Sequence, residues 1–333
     1  MPLAKGMINQ FRSLNPVNIL ILVAYTIFMR LAIIFNMPAE LNFEFLEPYA
    51  RFFIPVPDGG SLFSPSASLF FATLIIFAQA MIFNRVVNNH GLLAKPTYLP
   101  ALLYITGASL FTQFFFLCPP LICNFLLIWI MDKFLKIGKS QNAMMTMFDV
   151  GMIIAIGSLI YFPFIVLLLM LWLSLLLYRG FNWREWIAGI IGFLTIFFFL
   201  AVFYYWNDNL NQFYKIWSPL TNKFPSVLQI KYDDYLVLVP TAVIMVLAAF
   251  QLRDNFFRSF VSTRKAFQML FFMFVLTIIS VYTKPGFRVY HFLLSVPPGA
   301  VMLAYYFSNA KKRWFYESLF VLFALSIQYF LFV

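Results

Sequence analysis

Apolar runs long enough to cross a bilayer recur along the whole chain, separated by short polar segments. They lie near 17–37, 67–84, 99–115, 119–131, 150–163, 164–178, 186–205, 235–251, 267–282, 292–308 and 318–333. A membrane helix needs roughly 17–25 predominantly apolar residues. The pattern therefore predicts an all-α fold, a polytopic transmembrane helix bundle of about 11 spans in one transmembrane domain, 1–333. The runs at 119–131 and 150–163 are short for a span, and tilt or burial inside the bundle accounts for that. Residues 1–16 carry no short apolar run ending in a small-residue cleavage site, so the first run reads as a retained span.

Charge sets the orientation. With the N terminus in the cytoplasm, sixteen Lys and Arg fall in cytoplasmic segments. Six fall on the outer side: Arg51, Lys215, Lys223, Lys231, Lys284 and Arg288. Arg30 lies within the first span. Positively charged loops stay inside, so the reading is N-in and, with an odd span number, C-out. Residues 1–16 are then a cytoplasmic N-terminus, and the sizeable outer loops are 38–66 and 206–234.

Composition agrees. The chain is 63% hydrophobic and 11% charged, with 45 Phe, against roughly 25% charged residues in a soluble domain. So few charges cannot cover a globule in water. The net charge of +11 sits in short loops rather than on one face, which argues against nucleic acid as a partner. Cys118 and Cys123 flank a Pro-Pro turn in an apolar hairpin and make neither a disulfide framework nor a metal set.

Candidate chemistry concentrates on the outer side. In the first outer loop, Glu40, Glu44 and Glu47 are spaced to share one helix face, and Glu47 can pair with Arg51. Leu41, Phe45, Tyr49, Phe52 and Phe53 form the other face, which predicts a short amphipathic helix in the interface. Either the acids are that helix's wet side, or Glu44 or Glu47 serves as a general base or metal ligand. Arg30 is an intramembrane cation near the outer end of its span. It either snorkels or meets a glutamate or a lipid phosphate. Lys284, Arg288 and His291 precede a Pro-Pro kink, and the cluster is either an interfacial anchor or a phosphate site.

The second outer loop sets Tyr204, Tyr205, Trp206, Tyr214 and Trp217 beside Asp208, Asp233 and Asp234. That is either an aromatic belt or a sugar-binding surface. His90, in a cytoplasmic loop, receives no role. No Walker loop, dinucleotide fingerprint, His-Glu-x-x-His or nucleophile elbow is present.

Two stretches carry a resemblance. Phe28-Met29-Arg30-Leu31, followed by Glu44, Glu47 and Tyr49-Ala50-Arg51, resembles the start of the GT-C glycosyltransferases. Arg288-Val289-Tyr290-His291, running on to Pro297-Pro298, resembles a late stretch of that superfamily. The family usually has Asp in the first loop, where this chain has Asn42-Phe43-Glu44. The resemblance implies a transferase using a polyprenyl-phosphate-linked sugar at the outer leaflet, with a divalent metal as a possible cofactor. Glu44 or Glu47 would be the catalytic acid, and Arg30, Arg51, Lys284, Arg288 and His291 would meet the lipid phosphate. The whole chain also resembles multi-pass proteins of bacteria, which implies the bacterial inner membrane. Two alternatives stay open: a non-catalytic scaffold bound to a membrane-protein partner, and a transporter or flippase of a lipid-linked substrate.

Overall fold

A computed structural model describes residues 6–38, 49–50, 64–138, 142–217, 232–256, 260–283 and 288–332. Among them every regular element is a helix or a 3-10 turn. In chain order the helices are α1 Met7–Phe11, α2 Val17–Phe28, α3 Leu31–Phe35, α4 Pro65–Asn89 and α5 Leu99–Gly107. There follow α6 Pro119–Ile137, α7 Ala143–Ile160, α8 Leu168–Tyr178, α9 Trp183–Trp206 and α10 Leu210–Ile216. The last are α11 Tyr232–Phe256, α12 Val261–Ile279, α13 Val296–Asn309 and α14 Arg313–Phe332. Tight 3-10 turns lie at Thr112–Phe115, Phe162–Leu167, Ser280–Thr283 and Val289–Ser295.

Among the described residues, five segments are long and apolar enough to cross a membrane: Val17–Phe35, Pro65–Asn89, Ala143–Ile160, Trp183–Trp206 and Val261–Thr283. Their flanks expose Phe70, Phe198, Phe199, Phe203 and Phe271, a surface that suits lipid and not water.

Several element boundaries depart from the apolar runs for identifiable reasons. The run at 17–37 breaks at Met29 and Arg30, where one helix is capped and the next begins. The run at 99–115 folds as the short helix α5 and then the Thr112–Phe115 turn. The run at 119–131 continues to Ile137, past three charged residues, because those charges find partners. Asp132 accepts from His90 at 2.8 Å and from Lys136 at 2.5 Å, while Lys133 donates to Asp149 at 2.7 Å. The helix expected at 150–163 starts earlier, at Ala143. The amphipathic helix expected around Glu40–Phe53 falls mostly outside the described residues.

Side-chain contacts sort the connecting segments into two ends of the bundle. At one end the N-terminal segment clasps the last two helices. Ile8 and Asn9 donate their backbone N–H groups to the Glu317 carboxylate at 3.1 and 2.9 Å. Arg12 donates to the carbonyls of Phe307 and Ala310 and stacks 4.3 Å over the Tyr316 ring. A Cβ on Gly6 would meet that carboxylate and oblige the Glu317 side chain to shift. Tyr98 donates its N–H to Phe11 at 3.0 Å, which brings the α4–α5 connection to the same end. His90, Asp132, Lys136 and the Arg179–Glu185 pair (3.0 Å) complete this ionic end.

Helix α4 spans roughly 37 Å at 1.5 Å per residue, and its other end belongs to a different set of contacts. There Ser68 accepts from the Leu117 N–H at 3.0 Å. Gln113 accepts from the Tyr290 N–H at 3.2 Å, and the Tyr161 hydroxyl pairs with His291.

Between the ends, α7 and α9 meet backbone to backbone. A Cβ on Gly151 would strike the Gly189 carbonyl, and one on Gly192 would strike the Phe148 carbonyl. Small residues let membrane helices approach until their backbones touch.

Candidate functional site

The break between α2 and α3 positions the one arginine of the first apolar segment. Arg30 is the residue that caps the start of α3, and it is 2% exposed. The guanidinium lies 5.3 Å from the centroid of the Phe115 ring. Nη1 donates to the Thr26 carbonyl at 2.9 Å. Nε and Nη2 are buried and have no hydrogen-bond partner among the described residues.

Arg30 walls a cavity of about 670 Å³ between α2–α3 and α4. The cavity is almost entirely apolar, with Val23, Ile27, Ile34, Leu69, Phe70 and Phe77 among its walls. Its two threonines are already satisfied: Thr26 donates to Leu22 and Thr73 to Leu69, both at 2.7 Å.

The Thr112–Phe115 turn joins this cavity to the second predicted cluster. Phe115 lies under Arg30, while Gln113, two residues away, holds the Tyr290 N–H. Arg288 begins the Val289–Ser295 turn and its carbonyl accepts the His291 N–H at 3.1 Å. The two stretches singled out in the sequence thus flank one four-residue turn. His291 does not sit at an interface with its ring exposed. It is 1% exposed, with Nδ1 paired to the hydroxyl of Tyr161.

Beneath the turn, polar side chains are stitched across helices. Gln79 donates to the Leu121 carbonyl at 2.6 Å and accepts from the Tyr104 hydroxyl at 2.9 Å. Asn124 donates to the Leu293 carbonyl at 3.1 Å, and Tyr25 and Thr106 share a hydrogen bond at 2.9 Å. Asn124 ties the Val289–Ser295 turn to α6 and the other bonds tie helix to helix, since a buried polar group left unpaired is costly.

Glu44, Glu47, Arg51 and Lys284 lie outside the described residues, as does Glu40. Tyr49, on the expected apolar face of that loop, is described, and its hydroxyl meets that of Tyr204 at 2.7 Å. This contact joins the first expected outer loop to the end of α9, next to the second. Burial and the Tyr204 hydrogen bond raise the Tyr49 hydroxyl above its ordinary range. Among the described residues no group of His, Cys, Asp or Glu is placed to hold a metal ion.

The sequence reading missed the ionic cluster at the opposite end. His90, left without a role, holds Asp132 together with Lys136. Burial alone would raise the Asp132 carboxyl, but the hydrogen bonds and charges of Lys136 and His90 outweigh it and the net shift is downward. The signal available in the sequence was the i, i+4 spacing of Asp132 and Lys136. Nothing local points to His90, 42 residues earlier.

No curated protein and no solved structure matches the chain. A family model matches residues 63–333, most of its length, and on that match the chain belongs to a family of unknown function, DUF6427.

Proposed function

We propose that this chain is a GT-C-like membrane glycosyltransferase that uses a polyprenyl-phosphate-linked sugar at the outer leaflet of the bacterial inner membrane. In this reading it crosses the membrane about eleven times, N-in and C-out. The sorting of its connections into an ionic end holding the N terminus and an opposite end holding Arg30, Arg288 and His291 supports that course.

The observation that carries the proposal is the convergence at the Thr112–Phe115 turn. Phe115 supports Arg30 on one side, and Gln113 holds the Tyr290 backbone beside Arg288 and His291 on the other. In glycosyl transfer an acceptor atom bonds to the anomeric carbon, the bond from that carbon to the phosphate oxygen breaks, and polyprenyl phosphate leaves. The acceptor's proton needs a base, assigned here to Glu44 or Glu47. The departing phosphate needs fixed positive charge, assigned to Arg30 and Arg288 with Arg51 and Lys284.

The test is transfer of labelled sugar from a polyprenyl-phosphate donor by proteoliposomes holding the full chain. Glu44→Gln or Glu47→Gln is expected to lower transfer by about 10²-fold or more, with gel filtration unchanged. Absence of transfer to any acceptor fraction, with both variants complementing a deletion like the wild type, would sink the transferase and leave a scaffold.

A further inference from the structure

Two helix starts at the clasped end of the bundle turn their acids inward and their bases outward. In the first turns of α14, Glu317 is spent on the N–H groups of Ile8 and Asn9. In the first turn of α9, Glu185 is spent on Arg179 at 3.0 Å. The carbonyls of Phe307 and Ala310, where α13 ends, are met by Arg12. The neighbouring cations are left out of these contacts. Lys311 and Lys312, between α13 and α14, and Arg184, in the first turn of α9, are exposed and make no ion pair among the described residues. Arg184 and Arg313 also stand at helix starts, where the backbone dipole favours acids and opposes cations. The stability of the fold does not call for positive charge at these places.

Each helix start also sets a tryptophan beside its cations. Trp314, directly after Lys311-Lys312-Arg313, is 82% exposed. Trp183 is 59% exposed, with the Arg184 guanidinium 5.8 Å from its ring centroid. Helix α9 shows what surrounds such a pair. It is long and apolar enough to span, with Trp183 at one end and the exposed Trp206 at the other. From ring to ring it covers roughly 36 Å at 1.5 Å per residue, against a hydrocarbon core of about 30 Å. Both tryptophans then fall in the headgroup layers, where this residue concentrates. Arg184 therefore lies at the depth of the lipid phosphates. An acidic protein or a nucleic acid would approach from the water beyond, so depth and charge together favour a lipid headgroup.

We propose that the starts of α9 and α14, with Lys311 and Lys312, form a binding surface for anionic phospholipids. Lys311, Lys312 and Arg184 meet the phosphates, and Trp314 and Trp183 lie beside them at the edge of the acyl phase. None of these residues has a part in the transferase reading, and the test makes no use of sugar transfer.

Native mass spectrometry of the full chain in a neutral detergent tests this with four probes. They are phosphatidylglycerol, phosphatidylcholine with the same chains, inorganic phosphate and a polyglutamate peptide. Phosphatidylglycerol is expected to bind about tenfold or more tighter than phosphatidylcholine, and to lose most of that preference as salt rises to ~0.5 M. Replacing both lysines, Lys311→Gln with Lys312→Gln, should weaken phosphatidylglycerol by about tenfold or more, and Arg184→Gln by about fivefold. Arg85→Gln with Lys95→Gln removes two exposed cations from the same end, in a segment without tryptophan. That pair should shift binding by less than about twofold. If a variant fails to fold, the salt titration of the wild type decides, and a preference that survives salt overturns the assignment. Equal binding of phosphatidylcholine, displacement by inorganic phosphate or tighter binding of the peptide would also overturn it, the last in favour of a protein partner. So would equal losses in the Arg85/Lys95 and Lys311/Lys312 variants, which would leave net charge in place of a site.

Discussion

The α7–α9 seam and the α2–α4 groove are both helix pairs in an apolar setting, and they solve opposite problems. At the seam, Gly151 and Gly192 bring backbone against backbone and leave no room for a side chain. At the groove, the facing residues are long: Ile27, Arg30 and Ile34 on one wall, Leu69, Phe70 and Phe77 on the other. They hold the helices apart around about 670 Å³. Lipid tails are as apolar as leucine, so no hydrophobic force alone draws membrane helices together. Packing decides, and here small residues line the pair that closes and long ones line the pair that stays open.

Three measurements break or sharpen that contrast. The largest effect is expected at the seam. Gly151→Leu forces a branched side chain onto the Gly189 carbonyl and should cost at least the ~1–3 kcal/mol of ordinary overpacking. The check is loss of a monodisperse peak on gel filtration, and a wild-type profile would mean that the helices are not in contact. Arg30 beside the groove should behave differently, with the opposite sign. Arg30→Met removes a buried cation with two donors that lack a partner among the described residues. It should raise thermal stability by up to ~1–3 kcal/mol. Equal stability would show that those donors are already satisfied.

The smallest effect belongs to the ionic end, which should not respond to either change. Asp132 has a lowered pKa in the folded protein. Its contribution is therefore present above the ordinary carboxylate value of about 3.9 and is lost as pH falls through the lower folded value. Thermal melts below about pH 4 should show a modest drop in wild type that Asp132→Asn abolishes. The effect stays modest because the group is partly solvated.

Much of the helical course was legible in the sequence because bilayer thickness imposes a minimum length on apolar runs. The break at Arg30 was not, since Val17 to Met37 reads as one uninterrupted run with a single cation. Nor was the extension of α6 through Asp132, Lys133 and Lys136. Its partners are His90, just past the end of α4, and Asp149 on α7, and no local pattern announces a distant counter-ion. His291 shows the same limit. Its neighbours Arg288 and Tyr290 suggested an interfacial cluster, but Tyr161, 130 residues earlier, pairs with its ring inside the protein. Arg30 was readable as an intramembrane cation from position alone. That its Nε and Nη2 lack a partner among the described residues became visible only in the structure. Glu44 and Glu47 remain a reading of the sequence, outside the described residues.

The clasp between the N-terminal segment and Glu317 has a consequence for biosynthesis. The carboxylate that caps Ile8 and Asn9 is made 309 and 308 residues after them. At ~5–20 residues per second of translation, the ribosome needs roughly 15–60 s to deliver it. Throughout that interval the first helix has open N–H groups and no last helix to lie against. The N-terminal segment is therefore fastened only after Glu317 of α14 has been made.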